Sequence, residues 1–220
     1  MGVIEAVARI VELGGEPRRA EAVAVLRAAF EARTGAFVPD DAWFEERSRA
    51  FWCDAVTTAR FGREVEAELA DADRRWLAPL ERAHRGLFRA EGDVLVDVWC
   101  GAELVVTQLD DGSRAELAAS ADQLFDARVV GADDPYTIAM LPGAVFHSRD
   151  ATACIPAVLS AAREQGLGTG ETLDALLRMN RALRSLSRVK AGYAYRAEAL
   201  SRGAPTLPHP VVRRNPRAPT

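Results

Sequence analysis

The sequence predicts an α+β protein in which an N-terminal helical unit and a C-terminal helical hairpin flank a small, antiparallel, β-barrel-like middle. Three observations support this prediction. Apolar residues recur three and four positions apart through residues 1–92 and 151–202, which places them on one face of a helix. Short β-branched runs separated by turn residues fill residues 93–150. Five prolines in the last sixteen positions predict a disordered, basic tail over residues 203–220.

The first unit is predicted to be a series of helices. A first helix over residues 2–13 ends at a pair of glycines, and Pro17 begins a second helix that stops before Gly35. Asp40 is expected to cap a third helix that runs toward Phe61, because its carboxylate can accept from the free N–H groups of the first turn. Further helices are expected up to the end of the unit.

The middle segment predicts five or six short strands. The sequence Asp110-Asp111-Gly112 is the strongest hairpin signal in the chain, because glycine adopts a positive φ without strain. Beyond it, strands are expected at residues 114–117, 125–130, 136–141 and 144–147. Their number and spacing favour a small barrel or curled sheet of SH3-like or OB-like size, although no family motif matches it.

The last folded part is predicted to contain two helices. Residues 153–165 form the first, and a longer helix is expected from about Thr169 to about Leu200. The longer helix carries a stripe of leucines. We expect this stripe to pack against the N-terminal unit, because an apolar face needs a partner.

Charge is distributed unevenly along the 220 residues. The whole chain has 28 basic and 32 acidic residues, a net charge of −4. The last forty residues contain nine basic residues and one acidic residue (+8), whereas the first 180 contain nineteen basic and thirty-one acidic residues (−12). Clustered charge steers association. The asymmetry therefore indicates a protein partner with an acidic surface, with nucleic acid as the alternative.

A set of basic residues near the C-terminus provides the predicted binding site. Arg178, Arg181, Arg184 and Arg188 recur at three- and four-residue steps, with Lys190 beside them. Residues at this spacing share one helix face, which can follow a phosphate backbone or dock on an acidic protein surface. The alternative is a solvated face, or one that pairs with the acidic helices of the same chain.

No catalytic residue, metal ligand or cofactor is assigned from the sequence. Glu81 and His84 form an E-x-x-H pattern, but a carboxylate-bridged metal site needs two copies and two further Glu residues. Cys154 and His147 provide the minimum for a nucleophilic thiol, which also needs an orienting group and an oxyanion hole. The apolar neighbours of Cys154 suit a small buried residue better.

These observations favour a non-enzymatic binding or adaptor protein that acts through the edge of its barrel or through the arginine face. A nucleic-acid-binding protein is the alternative, although the acidic body opposes it, and a thiol-dependent enzyme centred on Cys154 is a third possibility. Three widely spaced cysteines, no signal-peptide pattern and no run of eighteen apolar residues predict a cytoplasmic protein with no membrane contact. The oligomeric state stays open.

Overall fold

A computed structural model describes residues 2–131, 138–186 and 189–201. Within these residues the protein is α+β, as predicted. The helices are α1 (Val3–Gly14), α2 (Ala20–Thr34), α3 (Phe44–Thr57), α4 (Asp71–Arg74), α5 (Leu77–Glu81), α6 (Asp111–Ala119), α7 (Arg149–Glu164), α8 (Thr169–Ser185) and α9 (Ala191–Ala194). The strands are β1 (His84–Glu91), β2 (Val94–Asp97), β3 (Glu103–Val105), β4 (Phe125–Gly131), β5 (Ile138–Met140) and β6 (Val145–Phe146). No helix in the described ranges has the length and apolar character needed to cross a bilayer.

The strands form a curled antiparallel half-barrel. Their order is β3-β2-β1-β4-β5, and β6 pairs with β4 beside β5. In the register, Phe88 of β1 lies opposite Asp97 of β2 on one side and Phe125 of β4 on the other. A parallel bridge between Gln108 and Ala139 connects the chain after β3 to β5, so that the two ends of the sheet approach each other. The barrel-like middle is therefore confirmed in this coarser form.

The two faces of the sheet have different environments. The inner face is an apolar core that includes Phe88, Leu95, Phe125, Val129 and Met140. Alternate residues point outward because side chains alternate along a strand. On this outer face, Val130 belongs to the cluster formed by the N-terminal helices. Leu87 belongs to a second cluster, formed mainly by α7, α8 and α9.

Two predictions about the middle of the chain are wrong. The helical pattern expected up to residue 92 gives way to a strand at His84. The hairpin expected at Asp110-Asp111-Gly112 is instead the start of α6, where Asp110 Oδ1 accepts from the N–H of Ser113 at 3.0 Å. Aspartate is favoured both in turns and at helix N-caps. The helix-forming residues that follow decide in favour of a helix, which replaces the strand expected at residues 114–117.

Two helix limits also differ from the prediction. The third helix begins at Phe44, and Asp40 is not its cap. The carboxylate of Asp41 accepts instead from the N–H of Val38 (2.8 Å) and closes a turn before the helix. The helix expected to reach Leu200 ends at Ser185, after which the chain folds back and buries Leu200 against α7 and α8. The tail predicted at residues 203–220 lies outside the described residues.

Gly143, between β5 and β6, packs closely against α3, so a substitution there tests this contact. Its φ is 118°, and a Cβ there would lie 2.7 Å from the backbone C and O of Arg49. We expect Gly143→Ala to lower the free energy of unfolding by more than about 1 kcal/mol, because the backbone conformation and the close contact both oppose a side chain. Urea unfolding measures this change. Gly170→Ala, in α8, is the control because a Cβ there has no neighbour within 4 Å, and equal stability of the two variants would contradict the explanation.

Candidate functional site

A chain of alternating charges lies between the outer face of the sheet and the helices. Arg85 of β1 binds Asp126 of β4 (2.6 Å) and Asp174 of α8 (2.7 Å). Arg33 of α2 binds the same Asp174 (3.0 Å) and also Asp54 of α3. Asp54 in turn binds Arg128 at 2.6 Å, which returns the chain to β4. We call these six side chains the buried ion network; it joins two strands to three helices.

Mutual attraction favours the charged forms of Asp174 and Arg85 within the buried ion network, whereas burial and the nearby charge of Arg85 lower the pKa of Arg128. Burial works to raise the pKa of Asp174, but Arg85 and Arg33 outweigh it and lower the pKa below its ordinary value. Burial likewise opposes the charge of Arg85, and Asp126 and Asp174 reverse this and raise its pKa. Since every member is bonded to an opposite charge, the network is a structural feature, without a free group for chemistry.

Beside the network lie two buried groups with incomplete hydrogen bonding. Arg47 is fully buried and donates to the carbonyl of Thr34 (2.7 Å), while its Nε and Nη1 have no hydrogen-bond partner among the described residues. Burial lowers the pKa of Arg47 to about 10. His147 is also fully buried, and its Nδ1 shares a hydrogen bond of 2.7 Å with the hydroxyl of Tyr195. Burial lowers the pKa of His147 to about 4, so the ring is neutral at pH 7.

The arginines singled out in the sequence turn toward the N-terminal helices. Arg178 donates to the carbonyl of Arg33 (2.6 Å) and to that of Leu200 (3.0 Å). Arg181 donates to the carbonyl of Ala36 (2.5 Å).

At the end of the same helix, Arg184 forms an ion pair with Glu46 and lies over the ring of Trp43. Lys190 is exposed, and Arg188 lies outside the described residues. Three of the five predicted binding residues therefore hold α8 against α2, α3 and the segment between them. Their role in binding a partner stays a prediction.

Two other residue pairs singled out in the sequence, Cys154 with His147 and Glu81 with His84, do not form a site in the structure. Cys154 is half-buried, and its thiol is bonded to the carbonyl of Asp150 within its own helix (3.4 Å), whereas His147 is directed to Tyr195. Glu81 ends α5 and pairs with Arg63, while His84 begins β1. The E-x-x-H pattern is thus not on one helix.

A groove beside the edge of the half-barrel was not identified from the sequence. It has a volume of about 310 Å³ and lies between the turn joining β1 to β2 and helix α6. Its lining combines apolar side chains with one acid and one base, and consists of Ala90, Gly92, Asp93, Leu109, Arg114, Leu117, Ala118 and Ala121. The sequence does not predict this groove, because residues 114–117 suggest a strand whereas the structure places them in α6.

The edge strand of the sheet ends next to this groove. Of the two edges of β3, one pairs with β2, and the other has no strand partner within the described ranges. The N–H of Val106, directly after β3, donates to the carbonyl of Asp93 in the groove (2.9 Å). Val105, at the end of this strand, is 57% exposed. The end of β3 and the apolar groove are therefore neighbours.

The surroundings of the groove are acidic. Between residues 91 and 123 the sequence has eight acidic residues and one basic residue, Arg114, a net charge of −7. Arg89, Arg49 and Arg149 lie outside this segment and form ion pairs with Glu91, Glu116 and Asp122, which leaves a net charge of −4 (−7 plus 3). Asp93, Glu103 and Asp111 are exposed and form no ion pair with the described residues. The segment that forms most of the groove therefore retains a net negative charge.

Comparisons with known proteins identify no relative. No family model matches the chain, and no curated protein or solved structure shows significant similarity to it.

The buried ion network predicts a large effect of removing one charge. We expect Asp54→Ala to lower the free energy of unfolding by about 3–5 kcal/mol, because it leaves the buried guanidinium of Arg128 without its partner. Urea unfolding measures the loss. Asp71→Ala, which removes an exposed ion pair with Arg74, is the control and should change the midpoint little. Adding Arg128→Met to Asp54→Ala should recover part of the loss, and no recovery would argue against an unpaired charge as the cause.

His147 predicts a loss of stability in mild acid. Its pKa is about 4 in the folded protein and about 6.5 when exposed, so the unfolded chain takes up a proton first as the pH falls below 6.5. Between pH 6.5 and 4, this residue should lower the free energy of unfolding by about 1.4 kcal/mol per pH unit. Unfolding of the wild type and of His147→Gln across this range measures the contribution. A variant with an equally steep pH dependence would show that His147 is not the source.

Proposed function

We propose that this is a non-enzymatic binding protein that accepts an extended, basic segment of a protein partner. The docking surface is the groove between the β1–β2 turn and α6, together with the open edge of β3. The observation that carries this proposal is the coincidence of an apolar groove, an unpaired strand edge and acidic surroundings. A bound strand adds backbone hydrogen bonds at the edge, and alternate side chains can enter the groove.

Charge determines which partner fits this surface. Complementary potentials increase the association rate and reject partners of the same charge. The acidic surroundings therefore favour arginine- or lysine-containing segments and oppose nucleic acid at this surface. The arginine face would need an acidic partner instead, and it is the weaker candidate because Arg178, Arg181 and Arg184 already contact α2, α3 and the segment between them.

The proposal predicts that filling the groove weakens peptide binding. Ala118 lines the groove and is exposed, so Ala118→Trp should fill it without disturbing the core. A fluorescently labelled decapeptide of alternating Val and Arg is the probe, and anisotropy measures its dissociation constant. We expect Ala118→Trp to raise this constant at least about tenfold, equivalent to about 1.4 kcal/mol.

Ala119→Trp is the matched control, because Ala119 is the next exposed residue of α6 and does not line the groove. It should bind the peptide as the wild type does. A decapeptide of alternating Val and Glu should not bind. If the Val–Arg peptide fails to bind the wild type, binds both tryptophan variants equally, or is matched by the Val–Glu peptide, the proposal is wrong.

A further inference from the structure

Three side chains with metal-ligating atoms meet at one end of the half-barrel. They are His84, Asp97 and Cys100, and one nitrogen, one oxygen and the sulfur all lie within 4.8 Å of one another. His84 Nε2 and Asp97 Oδ2 are 2.7 Å apart. None of these residues belongs to the proposed docking groove or to the buried ion network.

The strand register brings these residues together. His84 and Phe88 lie on the same face of β1, since they are four residues apart, and Phe88 is opposite Asp97. Gly86 lies between them, and a Cβ at this position would come within 2.8 Å of Asp97 Oδ2. The absence of a side chain at Gly86 therefore leaves the space that the carboxylate occupies.

The turn after β2 carries the third ligand and is held in place. Asp97 Oδ1 accepts from the N–H of Trp99 (2.8 Å), and the N–H of Gly101 donates to the carbonyl of Asp97 (2.7 Å). Arg163 of α7 donates to the carbonyl of Trp99 (2.8 Å) and lies over its ring. Cys100 is therefore exposed on a turn that is held by Asp97 on one side and by Arg163 on the other.

Asp97 distinguishes this cluster from a chance grouping of surface residues. Its side chain is 1% exposed, whereas His84 is about half exposed and Cys100 is exposed. A buried carboxylate needs a strong partner. Asp97 Oδ2 lies 2.7 Å from His84 Nε2, and a carboxylate oxygen of Asp97 lies within 4.8 Å of the thiol. The site thus has a fixed, buried ligand and two ligands that can adjust from the solvent side.

The geometry favours a metal over a catalytic thiol. A Cys–His–Asp nucleophile requires the imidazole between the thiol and the carboxylate. Here the carboxylate oxygen is itself within 4.8 Å of the sulfur, so the three atoms form a triangle. In a tetrahedral zinc site with bonds of about 2.0–2.3 Å, ligand atoms are about 3.5 Å apart. The distance of 2.7 Å between His84 Nε2 and Asp97 Oδ2 is shorter than this, so the hydrogen bond must open when a metal enters, and the half-exposed His84 is the side chain that moves.

We propose that His84, Asp97 and Cys100 bind a zinc ion, with water in the fourth position. Nitrogen, sulfur and carboxylate oxygen are the ligands that zinc takes in proteins, whereas a thiolate is unsuitable for magnesium or calcium. One thiolate and one carboxylate balance the 2+ charge. Binding releases the thiol proton to solvent, so affinity rises with pH. Three protein ligands and an open position are the arrangement of zinc sites that also bind or activate a small molecule.

Cobalt substitution tests the proposal directly. The full chain, freed of metal with a chelator, is titrated with Co²⁺ and then with Zn²⁺. We expect one Co²⁺ per chain, with the sulfur-to-cobalt charge-transfer band and the intense visible bands of a tetrahedral site, and displacement of Co²⁺ by Zn²⁺. Cys100→Ser should remove the charge-transfer band, and His84→Ala should weaken Zn²⁺ binding by more than about tenfold, the least that loss of even an outer-shell partner costs.

Cys154→Ser is the control, because Cys154 is the other thiol with access to solvent and lies on α7, outside the cluster. It should bind Co²⁺ as the wild type does. Asp97 is left unchanged, since its removal would leave the N–H of Trp99 without its partner. The proposal is overturned if the wild type shows no charge-transfer band, if Cys100→Ser retains it, or if Cys154→Ser removes it. Circular dichroism confirms that each variant is folded.

Discussion

The buried ion network is the interaction on which the arrangement of this protein depends. It begins at Asp126 and ends at Arg128, two positions apart on β4, and between them it passes through Arg85, Asp174, Arg33 and Asp54. The four inner members each bind two opposite charges and the two end members each bind one, so the ion pairs connect α2, α3 and α8 to β1 and β4. Such a network contributes little net stability compared with an apolar core, but breaking it is costly. Its effect is to determine how the helices sit on the sheet.

The network also explains where the surfaces available for binding are located. It occupies the outer face of the sheet between the two helical clusters, and the arginines of α8 extend it toward α2, α3 and the chain between them. The arginines of α8 therefore mostly contact groups of the same chain. By contrast, the β1–β2 turn, β3 and α6 are far less enclosed by helices and retain acidic residues on their surface. This contrast is the physical reason for assigning docking to the groove and for expecting a basic partner.

Much of the fold could be predicted from local sequence. Helix-period patterns identified α1, α2, α7 and most of α8, and the β-branched run at residues 125–130 identified β4. Local patterns failed where the same residues suit two structures. Asp110 is favoured in a hairpin turn and at a helix N-cap, and the residues after Gly112 decided between them. The alanines and leucine after Ser185 are consistent with a continuing helix, but burying Tyr195 and Leu200 against α7 required the chain to fold back.

The sequence by itself determined the fold class, the uneven charge and the helical face that carries Arg178, Arg181 and Arg184. These properties depend on composition and on spacing along one element. Only the tertiary structure decided what those arginines contact, that Arg85 and Asp174 share a buried bond across 89 positions, and that His84, Asp97 and Cys100 converge. The reason is that pairing between distant segments depends on strand register and on helix packing, neither of which a single sequence displays. Both proposed sites depend on this long-range placement.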